Sequence, residues 1–80
     1  MTYSRGDLER AERYVEAAES RIARQRRTID RDQATGRLST DGLVLLGLFE
    51  ATLEQMRAHQ AEVAEQLRQQ AMGEERPKEP

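Results

Sequence analysis

Two runs of apolar residues with helical spacing, separated by one short break, constrain the fold of this chain more than any other feature. In each run the apolar residues recur in alternating steps of three and four, with small or polar residues at some of the steps. This spacing is typical of helices that pack side by side along a narrow apolar seam. The predicted seam consists of Leu8, Val15, Ile22, Ile29, Leu46, Leu53, Met56, Val63 and Leu67.

The break between the two runs, residues 36–39, has the composition of a turn between helices. Gly36 suits the left-handed conformation that ends many helices, and Ser39 is a favoured N-cap for the helix that follows. Leu38 and Leu43 have the spacing of a hydrophobic staple around that cap. A connection this short requires antiparallel helices. We therefore predict an all-α fold, an antiparallel two-helix hairpin similar to a coiled coil, which dimerises into a four-helix bundle.

The boundaries of the hairpin follow from capping signals. Ser4 and Asp7 have the spacing of a capping box, although Asp7 is an alternative cap, and Gly73 is expected to end the second helix. The residues after Gly73 are charged and include both prolines, which is typical of disordered tails. The predicted segments are an N-terminal arm over 1–6, a hairpin over 7–72 (helix 7–35, turn 36–39, helix 40–72) and a disordered tail over 73–80.

The composition argues against several classes of protein. Charged residues make up 35% and hydrophobic residues 36%, a balance that suits long exposed helices better than a compact mixed fold. Without cysteine there is neither a disulfide nor a thiolate metal site. One histidine and no glycine-rich phosphate loop leave little basis for catalysis, so we expect no enzymatic activity and no cofactor. The net charge of −2 argues against a nucleic-acid partner.

The longest apolar run, from Leu43 to Phe49, has seven residues. A membrane span needs about 20 apolar residues, so we expect no membrane partner. The first residues of the chain also lack the apolar segment of a signal peptide. These observations predict a cytoplasmic location.

The same apolar run is the most informative segment for function. A hairpin seam needs only a narrow stripe of apolar residues from each helix, yet nearly every residue here is apolar. Leu46 and Phe49 can face the first helix, and the surplus requires another covering surface. We predict a homodimer interface or the binding site of an unidentified protein partner; in the alternative, Leu38 and the turn cover the patch. The predicted interface residues are Leu43, Val44, Leu45, Leu48 and Phe49.

Residues 21–31 include five arginines and one acidic residue, Asp30. A helix spreads them around its circumference, and no aromatic residues are interleaved for base stacking. When the two helices are aligned so that their apolar seams face each other, Ile29 lies level with Phe49 and Val15 lies level with Val63. We expect a solvated, partly paired face, and keep a nucleic-acid-associated accessory protein as the alternative function. The predicted ion pairs are Arg24 with Glu54, and Arg27 or Arg31 with Glu50.

Three further polar residues lie in or beside the seams. Glu62 follows His59 by three residues, so the two side chains lie on one face of the helix. A metal site needs more ligands than these two, so we expect His59 to be a surface histidine. Gln25 and Gln60 interrupt the seams. Such residues either fix the register of the helices or are tolerated as a wet layer, and the sequence leaves both possibilities open.

A longer pattern resembles a known set of proteins. Ile22 and Gln25 form an I-x-x-Q element, Gly36 follows, and 45–53 reads L-L-x-x-F-E-x-T-L. Over about residues 15–66 the chain resembles short bacterial helical-hairpin proteins of unassigned function. In that set the turn usually carries Asp-Thr before the second helix, where this chain has Leu38-Ser39. The resemblance implies a helical hairpin and implies no activity.

Overall fold

The computed structural model describes residues 2–75, which form two α-helices joined by a short turn. Helix α1 spans Arg5–Ala34 and helix α2 spans Thr40–Glu75. The helices pack against each other in antiparallel directions, so that Leu8 and Leu67 lie together at the end opposite the turn, called here the open end. No strand occurs in the described part of the chain. The predicted all-α hairpin is confirmed.

Helix α1 begins at Arg5, two residues earlier than predicted, because Ser4 and not Asp7 is the N-cap. The backbone N–H of Asp7 donates to the Ser4 hydroxyl over 3.3 Å, and the backbone N–H of Ser4 donates to the Asp7 carboxylate over 2.7 Å. These reciprocal bonds form a capping box. The predicted arm over 1–6 is therefore too long, since residues 5 and 6 belong to the helix.

Helix α1 ends in a Schellman motif, one residue before the predicted end at 35. The N–H of Arg37 donates to the carbonyl oxygen of Asp32 over 2.7 Å, and the N–H of Gly36 donates to that of Gln33 over 3.2 Å. Gly36 has a φ of 71°, the left-handed conformation that this motif requires. The helix ends where the motif satisfies its last carbonyl groups.

The N-terminus of α2 is capped as predicted. The N–H of Gly42 donates to the Ser39 hydroxyl over 3.1 Å, so the helix begins at Thr40. Leu38 and Leu43, the residues of the predicted staple, are both exposed. A contact between them stays a prediction.

At its other end, α2 continues through Gly73 to Glu75, so the predicted end at 72 is wrong. Gly36 is the only glycine with positive φ among the described residues, so Gly73 keeps a right-handed conformation. Glycine permits a left-handed stop without requiring one. The predicted disordered tail is wrong for residues 73–75, and residues 76–80 lie outside the described part of the chain.

The core is a single line of buried side chains between the helices. Of the residues described, Val63 alone is fully buried, at 0% exposure. Of the predicted seam residues, Val15, Ile22, Ile29, Leu53 and Val63 are buried, and Leu8, Leu46, Met56 and Leu67 are half-buried. The seam also includes small residues of α1, since Ala11 and Ala18 are buried. Two helices alone therefore give a thin core.

The ion pairs across the seam differ from the predicted ones. A terminal guanidinium nitrogen of Arg26 lies 3.5 Å from the Glu50 carboxylate, and one of Arg57 lies 3.8 Å from that of Glu19. The predicted alignment sets Glu19 level with His59, two residues away from its observed partner. The helices are therefore shifted by two residues on this edge, and the predicted pairs of Arg24, Arg27 and Arg31 are absent from the described side chains.

Candidate functional site

The turn end of the hairpin carries a group of exposed apolar side chains. Leu43, Val44, Leu45 and Leu48 are each at least 40% exposed, and Leu48 reaches 60%. Leu38 is itself exposed, so the turn does not cover them. The alternative in which Leu38 and the turn bury the patch is therefore wrong.

Part of this patch belongs to a groove that runs along one edge of the hairpin. The groove consists of two adjoining depressions of about 290 Å³ and 220 Å³, which share Tyr14, Thr52 and Met56. The depression nearer the turn is lined in addition by Ala17, Ala18, Arg21, Leu45, Leu48 and Phe49. The depression nearer the open end is lined in addition by Ala11, Gln55 and His59. We call this surface the groove.

The groove divides the five predicted interface residues. Leu45, Leu48 and Phe49 line it, whereas Leu43 and Val44 are exposed outside its lining. Residues three or four apart share one side of a helix, so Leu48 lies together with Leu45 and with Val44, whereas Leu43 is turned away from both groove residues. Phe49 is half-buried and also packs against the core.

The sequence interpretation missed the contribution of α1 to the groove. Tyr14 is 59% exposed and is the largest apolar side chain of α1 in the lining. A signal was present, since Tyr14 and Arg21 are seven residues apart beside the seam, as are Leu45, Thr52 and His59. Two such series meet on one edge of an antiparallel pair, where they widen the apolar surface.

Charged side chains flank the groove at both ends. The Arg21 guanidinium carbon lies 5.6 Å from the centre of the Phe49 ring, a cation–π geometry. Arg24, one turn nearer the end of α1, and Glu62, three residues beyond His59 on α2, are exposed. Neither Arg24 nor Glu62 forms an ion pair with a described side chain.

The other edge of the seam is polar. It carries the ion pairs of Arg26 with Glu50 and of Arg57 with Glu19, all four of whose side chains are well exposed. The hairpin as a whole is therefore amphipathic, with an ion-paired edge and an apolar edge. Of the two edges, the apolar one is stabilised more when another surface covers it, because apolar area is then removed from water.

His59 is exposed at the open end of the groove, where its ring meets the Tyr3 ring edge-to-face at 5.9 Å between centroids. Among the described residues, no group of three His, Cys, Asp or Glu side chains is placed to hold a metal ion. The structure therefore brings no ligands to His59 that the sequence had missed.

The shifted pKa values belong to local helix contacts and not to the groove. The backbone N–H of Ser4, together with the Arg10 and Ser4 side chains, lowers the pKa of the Asp7 carboxyl. The side chains of Arg68 and Gln69 likewise lower the pKa of the Glu65 carboxyl by hydrogen bonding. Both carboxylates are stabilised in their charged form by neighbouring donors.

Comparisons of the chain with protein-family models, with curated proteins and with solved structures found no match. The resemblance to short bacterial hairpin proteins stays a prediction. Neither helix, over the described residues, combines the length and apolar character that crossing a membrane requires. The predicted cytoplasmic location remains a prediction. The groove is therefore the feature of the molecule that points to a function.

Proposed function

We propose that this protein is a non-enzymatic protein–protein interaction module that self-associates as a homodimer, forming a four-helix bundle through the turn-end patch. The observation that carries the proposal is the exposure of four aliphatic side chains within six residues of α2, Leu43, Val44, Leu45 and Leu48. Contiguous apolar surface on a small protein marks an interaction site, because exposing it to water is costly.

The thin core supports the same proposal. In a chain of 80 residues one small core supplies only a few kcal/mol of stability, and among the side chains that the structure describes only Val63 is fully buried. A second hairpin gives each helix a second neighbour and covers Leu45 and Leu48. Association therefore stabilises the fold as well as hiding the patch.

The chemistry of the groove suits a protein partner. Its two adjoining depressions, of about 290 Å³ and 220 Å³, form one shallow surface along the hairpin. Their lining is mostly apolar, with Arg21, His59 and the phenol of Tyr14 as its ionisable groups. Such a surface suits the side chains of another protein better than a substrate.

The alternative function, a nucleic-acid-associated accessory protein, would use the arginines of residues 21–31. Arg26 is engaged by Glu50, and Arg21 lies over Phe49. No observation favours the alternative over self-association. Salt-sensitive retardation of nucleic acid by micromolar protein would support it instead.

Sedimentation velocity over a concentration series tests the proposal, with helicity followed by circular dichroism. We expect the wild-type protein to pass from the 9.2 kDa monomer to a dimer as its concentration rises. The double variant Leu45→Glu/Leu48→Glu should remain monomeric at every concentration, because it buries two charges in the interface.

The matched control is Ala51→Glu/Ala58→Glu, which adds the same two charges to exposed positions of α2 outside the groove. This control should dimerise like the wild type. Helicity measured at low temperature separates loss of association from loss of folding. A Leu45→Glu/Leu48→Glu variant that dimerises normally, or a wild type that stays monomeric at millimolar concentration, would contradict the proposal.

A further inference from the structure

The charged side chains of the hairpin are distributed unequally between its two edges. On the ion-paired edge, one depression is lined by three carboxylates and two guanidinium groups, those of Glu19, Glu50, Glu54, Arg26 and Arg57. The lining of the groove includes the guanidinium of Arg21 and, among the residues described, no carboxylate. The groove therefore has a cation in its wall and no anion to balance it.

Arg21 and its neighbour Arg24 also lack an acidic residue along α1. The positions three and four residues away from either arginine, where a side chain of the same helix could reach it, carry no Asp or Glu. Neither arginine forms an ion pair with a described side chain. The Arg21 guanidinium lies over the Phe49 ring, which leaves its positive charge in place. Both arginines can therefore pair with a carboxylate from outside the chain.

The groove has the length and the walls that fit one further helix. Along α2 it extends from Leu45 to His59, about 21 Å at 1.5 Å per residue. On the side of α1 it is formed in large part by Ala11, Ala17 and Ala18. Small side chains allow another helix to approach closely. A helix of about 14 residues laid between α1 and α2 contacts both of them along the groove.

A second copy of the groove does not supply the missing carboxylate. When two hairpins meet groove to groove, each lining brings Arg21 and His59, and the described part of neither lining brings an Asp or Glu. The contact covers apolar surface, but it also removes the charge of Arg21 from water without a partner, which is unfavourable. A helix with carboxylates beside its apolar face avoids this cost.

We propose that the groove also binds an amphipathic α-helix of another protein, with carboxylates beside its apolar face that pair with Arg21 and Arg24. This proposal goes beyond the proposed function, because it assigns a second occupant to the surface through which the protein self-associates. The acidic helix and the second copy cover the same side chains, Leu45 and Leu48, and therefore exclude each other. The homodimer is then the form of the protein in the absence of its partner.

The position of the arginines also specifies where the partner carries its acidic residues. Arg21 lines the depression nearer the turn, and Arg24 lies one turn of α1 further in that direction. The depression nearer the open end has Gln55 and His59 as its polar groups on α2. The carboxylates of the bound helix therefore belong near the end that lies towards the turn, beside apolar residues that recur every three or four positions.

Synthetic peptides test the proposal by fluorescence anisotropy at low salt. The probe is a labelled helix of about 15 residues with leucines along one face and glutamates beside that face, near one end. Its basic twin has lysine in place of each glutamate, and its polar twin has glutamine in place of each leucine. We expect the probe to bind at least about tenfold more tightly than the basic twin, and we expect no binding of the polar twin.

Variants of the protein locate the contact. Arg21→Glu should raise the dissociation constant of the probe about tenfold and lower that of the basic twin, because the charge in the groove is reversed. Arg27→Glu is the matched control, an exposed arginine of the same helix outside the lining, and it should change either constant less than about threefold. Circular dichroism checks the helicity of each variant. Arg24→Glu, at an exposed position, provides the same test if Arg21→Glu loses helicity.

Sedimentation separates this proposal from the proposed function. The probe should convert the homodimer into a complex of one hairpin with one peptide. Equal binding of the probe and its basic twin, or a probe affinity unaffected by both Arg21→Glu and Arg24→Glu, would overturn the acidic partner and leave the homodimer standing. A polar twin that binds as tightly as the probe would also overturn it, and would assign the arginines to a polyanion such as nucleic acid. A protein that binds the probe as expected but stays monomeric alone would overturn the homodimer only.

Discussion

The side-chain amide of Gln25 donates a hydrogen bond to the carbonyl oxygen of Gly42 across the seam, over 2.9 Å. The bond joins the middle of α1 to the first turn of α2, beside the buried Ile29. A Cβ on Gly42 would lie 3.6 Å from the Gln25 amide nitrogen, an ordinary van der Waals contact, so the bond does not itself require glycine at this position. Of the two roles predicted for polar seam residues, this specific partner favours the fixing of register over the tolerance of a wet layer.

The first prediction concerns this bond. Gln25→Leu should lower the free energy of unfolding by about 1 kcal/mol, the usual net value of one hydrogen bond, despite the apolar gain. Gln60→Leu is the matched control, because Gln60 is half-buried in the seam of α2 and makes no hydrogen bond among the described side chains. It should leave stability unchanged or raise it. Urea unfolding at one fixed protein concentration measures both, and equal effects would refute the role of Gln25.

The second prediction concerns the turn. Gly36 has a φ of 71° and no atom within 4 Å of the position of a Cβ, so a substitution there costs backbone strain without a steric clash. Gly36→Ala should destabilise by about 1 kcal/mol, and Gly36→Asn by less, because asparagine tolerates the left-handed conformation. Gly73→Ala, the same change at a right-handed position within α2, should not destabilise. Thermal unfolding compares the three, and a neutral Gly36→Ala would contradict the argument.

These examples indicate why the helices and the turn could be predicted from sequence. Ser4, Gly36 and Ser39 act through hydrogen bonds to residues at most four positions away, so their roles can be read locally. The helix ends differ from prediction by up to three residues. At Gly73 no local hydrogen bond requires the backbone to turn, so the glycine alone predicted the wrong end for α2.

The predicted alignment of the helices is wrong by two residues on the ion-paired edge and by more on the groove edge, where Phe49 meets Arg21 and not Ile29. Sliding one helix by a small amount still leaves an apolar residue opposite each apolar residue, so the seam pattern constrains the register weakly. The ion pairs are more sensitive, and Arg26 and Glu19 were missed as partners of Glu50 and Arg57.

The candidate site could be predicted on α2 but not on α1. The density of apolar residues from Leu43 to Phe49 exceeds what one seam can bury, and that excess is visible in the sequence. Tyr14 and Ala17 fit an ordinary exposed face of α1. The seven-residue spacing of Tyr14 and Arg21 indicates a position beside the seam, but a place in a groove depends on how closely the two helices approach, which that spacing does not specify.

The third prediction uses Gly47, a helical glycine with no atom within 4 Å of the position of a Cβ. It does not line the groove. Gly47→Ala should raise the free energy of unfolding by up to about 1 kcal/mol and leave the dimer dissociation constant unchanged. Thermal unfolding and sedimentation measure the two quantities. Loss of association would mean that another helix approaches the backbone at Gly47, on a face other than the groove.

The fourth prediction concerns the capping box at the start of α1 and its dependence on pH. The Ser4 backbone N–H and the Arg10 side chain lower the pKa of Asp7 in the folded state. The folded protein therefore favours the carboxylate. Its contribution to stability is present above the unfolded pKa and is lost as the pH falls through the lowered folded pKa.

Asp7→Asn should consequently be less stable than the wild type at neutral pH, and the difference should shrink as the pH falls below the ordinary range of an aspartate. Ser4→Ala removes the hydroxyl acceptor without removing a charge and should cost about 1 kcal/mol at pH 7. Asp30→Asn is the control for removing a carboxylate from α1 away from the cap. Unfolding curves at constant ionic strength between neutral and acid pH measure these differences. A gap between wild type and Asp7→Asn that does not change with pH would show that the carboxylate charge contributes nothing to the cap.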